Sequence, residues 1–307
     1  MTTAFLAHPV FLRHDMGSHH PERPARLEAI HQLLRERSLL SRVQMHEAPR
    51  VERAALLRVH HAAYLDRLAA LAPREGFVFI DPDTAMNPYT LEAAERAAGA
   101  AVRATDLVLL GEVDNAFCCV RPPGHHAEAG AAMGFCFYNN IACAAAHALA
   151  AHGLQRVAIL DFDVHHGNGT EDIFRDDPRV LFCSSFQYPF YPNTPIDHGH
   201  PRIVSVPLSA GTRGMDFREA VGSTWFPALA RFDPEMIFVS AGFDAHQDDP
   251  MADLLLNERD YAWITEEIVR FAGAHCGGRL VSSLEGGYHL TALARAVAVH
   301  LECLLTG

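Results

Sequence analysis

This sequence has no apolar run long enough to cross a bilayer, and its opening residues, MTTAFLAHPVFLRHD, place no basic segment ahead of a long apolar stretch. Both absences argue against secretion and membrane insertion, so a cytoplasmic protein is expected. CxxC pairs are also missing. The seven cysteines, Cys118, Cys119, Cys136, Cys143, Cys183, Cys276 and Cys303, lie mostly in apolar runs, as reduced core residues of an intracellular protein would. With neither a low-complexity linker nor an internal repeat, residues 1–307 are expected to form a single domain. Basic charge is scarce: 25 Lys plus Arg stand against 37 Asp plus Glu, a formal net charge of -12. That sign disfavours a nucleic-acid partner. It suits cationic substrates such as lysine-rich tails or polyamines, and equally serves plain solubility.

What is present is an ordinary globular composition, 49% hydrophobic and 20% charged. PERPARLEAIHQLLRER and TLEAAERAAGAAVRATDLVLLG carry apolar residues at helical spacing, and further helices are expected near 139–152, 216–231, 258–274 and 290–305. Between them lie short apolar runs, NAFCCV, RVAILDF, RVLFCS, RIVSVPL, MIFVSAG and RLVSSLEGG, suited to buried strands. The alternation predicts an α/β fold with a mainly parallel sheet flanked by helices. Such sheets place their sites beyond the carboxyl ends of the strands. Here those ends are polar.

In LDFDVHHGNGT, Asp161, Asp163 and His165 fall at alternate positions, so a continued extended backbone would point all three the same way. A single such Asp would suit an ion-paired loop or a helix cap at Asn168 or Thr170; the cluster outweighs that reading. In MIFVSAGFDAHQDDP, Asp244 follows a buried strand through Gly242. Asp163, His165 and Asp244 together make a set of two oxygens and one nitrogen, which leaves a position open for water and suits zinc, manganese or ferrous iron. RPPGHHAEAG holds His125 and His126 after a rigid turn, able to act as base, acid or electrostatic stabiliser near such a metal. LVSSLEGGYHL presents Tyr288 at the same rim, where a phenol can donate a hydrogen bond to a developing oxyanion. It would also suit packing on the next helix.

The stretches HHPERPARL, RPPGHHAEAGAAMGFCFYNN, LDFDVHHGNGT, YPFYPNT, SAGFDAHQDDP and LEGGYHL, in this order across almost the whole chain, resemble the histone deacetylase family, which includes acetylpolyamine amidohydrolases and acetoin-utilisation proteins. The forms of LEGGYHL and SAGFDAH are closer to its class II branch and bacterial relatives. The resemblance implies an arginase-like fold with about eight mostly parallel strands, and one catalytic Zn2+ held by Asp163, His165 and Asp244. It also implies a structural K+ bound by Asp161, Asp163, His165 and Ser184. By the same match His125 and His126 are the catalytic pair, Asp161 holds His125, and Tyr288 polarises the carbonyl. Phe135, Tyr191, Gly134 and Met251 would contact substrate, with Arg26 at the inner end of the tunnel. Asn168 stands where class I members carry an aspartate, so its neutral amide orients His126 without raising its basicity. His126 is then the expected base and His125 the electrostatic partner, while His166 is expected to position the ligand loop.

The implied activity is zinc-dependent removal of an acyl group, acetyl in the first instance, from an acyl-lysine-like substrate. Rival readings are an acetylpolyamine or small acyl amide or ester hydrolase, and a low-turnover acyl-lysine binding protein. A glutamate at the tunnel mouth would mark a polyamine specialist, and the matching position is Met251. Asp248 and Asp249 are expected to attract cations there, and Asp81 or Asp83 to hold a substrate backbone. The helix-rich surface and the N-terminal loop around His14 to Glu22 offer places for a homo-oligomer contact, without an interface signature.

Overall fold

All six short apolar runs become strands of one sheet in the computed structural model, which describes residues 1–196 and 199–307. The strands are β1 (Thr3–Ala7), β2 (Gln44–Glu47), β3 (Val78–Phe79), β4 (Ala85–Met86), β5 (Asn115–Cys118), β6 (Val157–Asp161), β7 (Val180–Gln187), β8 (Ile203–Leu208), β9 (Met236–Ala241) and β10 (Leu280–Leu284). Eight of them form the main sheet in the order β2-β1-β5-β10-β9-β6-β7-β8, with every neighbouring pair parallel; β3 and β4 make a separate antiparallel pair. Every residue of β5, β6, β7, β9 and β10 is buried, the condition under which strands read as continuous apolar runs rather than alternating ones. By contrast β2, QMHE, is a largely exposed edge strand. With no apolar face to show, it left no pattern in the sequence.

The helices are α1 (Ala25–Glu36), α2 (Arg53–Leu56), α3 (Ala62–Leu71), α4 (Thr90–Leu109), α5 (Asn140–Ala151), α6 (Asn168–Phe174), α7 (Gly214–Phe232), α8 (Glu258–His275) and α9 (Leu290–Thr306). Their starts follow the sequence. The Asn139 side chain accepts from Ala142 N at 3.0 Å, and Asn257 and Asp260 form a reciprocal capping box at α8. Among the described residues no helix is long and apolar enough to cross a membrane, and all seven cysteines are free and buried.

The strand order matters most for function. β5, β10, β9 and β6 are far apart in sequence yet adjacent in the middle of the sheet, so the four polar loops that follow them meet at one edge. The N-terminal loop closes that edge from beside. His14 and Glu22 are fully buried at the two ends of this loop, while Ser18 and His19 between them stay exposed. Arg121 donates to the Glu22 carboxylate through Nε and through Nη2 at 2.7 Å, and to Phe11 O and His14 O at 2.6 and 3.0 Å. Buried charge requires such pairing, and burial is opposed by Arg121, which holds Glu22 well below the usual carboxylate range.

The core also holds a neutral histidine. Thr265 Oγ1 donates to Tyr261 O at 2.7 Å, so it accepts from His300 Nδ1 at 2.8 Å, and Ser282 Oγ donates to His300 Nε2 at 2.9 Å. Burial pushes His300 from 6.5 down to about 3. The unfolded chain therefore binds this proton first, and the stability tied to neutral His300 is full above pH 6.5 and lost as pH falls toward 3. In metal-free protein, about 1.4 kcal/mol should disappear between pH 7.5 and 5.5 through this group alone. Urea titrations of the parent and His300→Gln should show the stability gap between them narrowing by that amount; a constant gap would count against the assignment.

Candidate active site

Asp161 is the last residue of β6, so the chain leaves the strand before Asp163 and His165. The expected two-residue alternation does not continue. Two tight side-chain turns replace it: Asp163 N donates to Asp161 Oδ1 at 3.1 Å, and His165 N donates to Asp163 Oδ1 at 2.9 Å. These turns still bring Asp163 and His165 together, because each carboxylate folds over the backbone two residues on. Asp244, in the loop after β9, completes the group: His165 Nδ1 lies 3.0 Å from Asp163 Oδ1 and 3.2 Å from Asp244 Oδ2.

Backbone amides hold both carboxylates. Gly286 N donates to Asp163 Oδ2 at 2.8 Å, and Val164 N donates to Asp244 Oδ1 at 2.9 Å. Gly286 has to be glycine here, since a Cβ would collide with both carboxylates. Asp244 Oδ2 is buried, accepts no well-formed hydrogen bond, and has only the His165 ring nitrogen beside it, at 3.2 Å. An unsatisfied anionic oxygen in a core calls for a cation. Burial opposes charge on His165, yet the Asp163 and Asp244 carboxylates beside its Nδ1 push it up to about 10. Burial and the Asp163 charge together raise Asp244 to about 6. The three side chains thus form a buried O, N, O set whose charges fit a divalent metal ion.

A second Asp-His-His grouping has a different character. Asp106 Oδ1 accepts from His147 Nε2 at 2.7 Å and His152 Nε2 at 2.8 Å, while Arg58 Nη1 donates to His147 Nδ1 at 3.0 Å. That donor keeps the His147 proton on Nε2, leaving no lone pair there for a metal. It is a hydrogen-bonded carboxylate.

The histidine pair sits beside the ligand set with its rings 4.0 Å apart. His125 Nδ1 meets Asp161 Oδ2 at 2.9 Å, and His126 Nδ1 meets Asn168 Oδ1 at 2.7 Å. Asn168 Nδ2 donates to Glu128 Oε1 at 2.9 Å, which orients the amide so that its oxygen accepts from His126 Nδ1–H. His126 Nε2 is therefore the unprotonated nitrogen. Burial opposes a charge on His125, but Asp163 and Asp161 raise it well above the ordinary histidine value; burial and the neighbouring charges of His125 and His165 hold His126 well below it. Asn168 is the first residue of the short α6, and its side chain serves His126 rather than capping the helix. His166 faces away from the ligand set, with Nε2 3.0 Å from Glu171 Oε2 and its ring 4.6 Å from that of Phe186.

A cavity of about 220 Å³ leads to this group, walled by Phe135, Phe190 and Tyr191 with Met251 and Asp83 also lining it, and His126, His165, Gly134 and Tyr288 complete its lining. Phe190 stacks on His165 at 5.4 Å and 20°; the motif YPFYPNT does not mark it out, because an aromatic beside a turn does not reveal which way it faces. Gly134 has φ +56°, and a Cβ there would come within 2.5 Å of His126 Cδ2. Tyr288 packs edge-on to Phe135, and burial raises its phenol well above 10, so it stays protonated. Arg26 lies beneath it, 5.0 Å from the ring centre, and donates to Gly287 O at 2.6 Å and Glu285 O at 2.5 Å.

Rim expectations divide. Asp83 lines the cavity; Asp81 accepts from Asp83 N at 3.0 Å. Asp249 is buried and its Oδ2 accepts from Tyr288 N at 2.6 Å and His289 N at 3.0 Å, so it anchors the tyrosine loop instead of attracting cations. Asp248 lies 3.4 Å from Arg295. Ser184, paired in register with Asp161, is buried with a partnerless Oγ.

Residues 20–304 match the histone deacetylase domain family. The chain is 41% identical over 276 residues to a histone deacetylase-like amidohydrolase of Pseudomonas aeruginosa, covering 88% of this chain and 72% of that one. It is 38% identical to the polyamine deacetylase of Mus musculus, covering 92% of this chain and 45% of that protein. Among solved structures, the HD domain of HDA15 superposes with a TM-score of 0.93 at 34% identity, covering 99% of this chain and 88% of that one.

Proposed function

Because the chain belongs to the histone deacetylase family, we propose that it is a zinc-dependent amidohydrolase that removes acetyl or related acyl groups from a lysine-like amine. The observation that carries this reading is the buried Asp163–His165–Asp244 set with its unsatisfied Asp244 oxygen, at the cavity that also presents His126 and Tyr288. These three residues would hold the zinc ion, which when bound polarises a carbonyl and makes water more acidic. A potassium ion would be held near Asp161, Asp163, His165 and the partnerless Ser184, bracing the same loop.

The chain's own groups supply the rest. Phe135 and Tyr191 clasp a linear alkyl chain and exclude water from it, with Gly134 and Met251 beside it. The Tyr288 phenol donates a hydrogen bond to the amide oxygen as negative charge grows there. His126 takes a proton from the attacking water at Nε2, its Nδ1–H being held by Asn168. His125, braced by Asp161, stabilises the charge that builds beside it. Return of the proton to the departing nitrogen releases a carboxylate and a free amine.

Asp83 in the cavity lining favours a second reading, a cationic acylpolyamine, whereas the apolar Met251 gives a second ammonium no partner. The decisive experiment couples metal analysis to rates on an acetyl-lysine peptide, acetylputrescine and a simple ester. About one zinc per chain and fastest turnover of the peptide are expected. Fastest turnover of acetylputrescine would establish the polyamine reading, and no turnover of any substrate by zinc-loaded protein would sink both. The chain contains no lysine, so it adds no acyl-lysine background of its own.

A further inference from the structure

We propose that Glu285 is a positioning residue that fixes the His125–His126 loop against the strand end carrying Tyr288. The proposal rests on the reading that this histidine pair serves catalysis. Glu285 is completely buried just beyond β10. Its Oε2 accepts from two successive backbone amides, Gly124 N at 2.6 Å and His125 N at 3.2 Å, and its Oε1 accepts from Ser240 Oγ at 3.1 Å. Its own carbonyl accepts from Arg26, and the next residue, Gly286, donates to Asp163.

One side chain thus ties the loop after β5 to strand β9 and to the end of β10. The Gly124 and His125 amides point at a carboxylate supplied from 160 residues along the chain. Without that acceptor, two buried N–H groups lose their partner, and the loop must shift or admit water to satisfy them. The His125 and His126 rings move with this backbone. Misplacing a reacting group by about 1 Å costs on the order of 10²-fold in rate.

The test separates a clamp from a generic core residue. In Glu285→Gln the amide oxygen still accepts from both N–H groups and the amide nitrogen can donate to Ser240 Oγ, so geometry is kept while charge is lost. Glu285→Ala removes the acceptor, and Glu285→Met removes it while filling the volume, should the alanine variant fold poorly. Zinc content, kcat and KM should be measured with amide hydrogen exchange over residues 121–135. Glu285→Gln is expected within about 3-fold of the parent in kcat, whereas the alanine and methionine variants fall about 10²-fold with KM within about 3-fold. All should keep the parent's zinc content, and exchange at residues 124–126 should accelerate only where the acceptor is gone. The proposal is overturned if the methionine variant keeps the parent's kcat and exchange pattern, or if Glu285→Gln falls as far as alanine, which would make charge and not positioning the cause. Should the parent hydrolyse no acylated amine, the catalytic reading fails by itself, and the exchange comparison still decides whether Glu285 clamps the loop.

Discussion

Tyr288→Phe should lose about 10²–10³ in kcat while binding the same amount of zinc as the parent. In the proposed mechanism the phenol contributes one hydrogen-bond donor to an oxygen whose charge develops during the reaction, and loss of one preorganised donor of this type costs that much. The ring itself is held independently of the hydroxyl. Tyr288 N is anchored to Asp249, Phe135 packs against the ring, and Arg26 lies below it, so phenylalanine should keep the cavity's shape. KM should therefore stay within a few-fold, the signature of an interaction made mainly in the transition state. A parallel His126→Ala should also depress kcat with metal retained, because this histidine stands beside the ligand set and is absent from it. A Tyr288→Phe enzyme with the parent's turnover would remove the phenol from the mechanism.

Asp244→Asn is expected to abolish both zinc binding and turnover at micromolar metal, and to reverse the usual direction of a stability change. In the metal-free chain Asp244 and Asp163 are two buried carboxylates sharing one imidazole, and burial with the Asp163 charge disfavours ionised Asp244. An asparagine relieves that repulsion. The metal-free variant should melt no lower than the metal-free parent at pH 7.5. The parent, however, should gain about 2.7 kcal/mol when zinc is present at 100 times its dissociation constant, and the variant almost nothing. Paired thermal melts with and without zinc check this, with metal content read on the same samples. A variant stabilised by zinc as much as the parent would remove Asp244 from the ligand set.

Much of the fold could be read along the chain because buried parallel strands write themselves as uninterrupted apolar runs. RVAILDF and MIFVSAG end almost where their apolar character ends, at Asp161 and Ala241. The strand QMHE could not be found this way, since an exposed edge strand has no apolar face. Site residues followed the same division. Asp163, His165, Asp244, His125, His126 and Tyr288 stood out because ionisable groups at the ends of apolar runs are costly without a function. Asp249 sits in an equally acidic stretch that reads as a cation-attracting rim, because only the folded backbone reveals the Tyr288 and His289 amides it accepts from. Glu285 was hidden by the same limitation.

By itself, then, the sequence determined six strands and the long helices, the kinds of ligand available, and the family to which their order belongs. Those properties are local: apolar periodicity, turn chemistry and residue type act over a few positions. Only the tertiary structure decided which groups meet. The order β5-β10-β9-β6 gathers loops as far apart as Gly124 and Glu285, 161 residues along the chain, the Asx-type turns after β6 replace the extended alternation, and Asn168 settles which His126 nitrogen is free. Hydrogen-bond direction and burial at such distances belong to the packed chain, because neither exists until the sheet has brought its ends together.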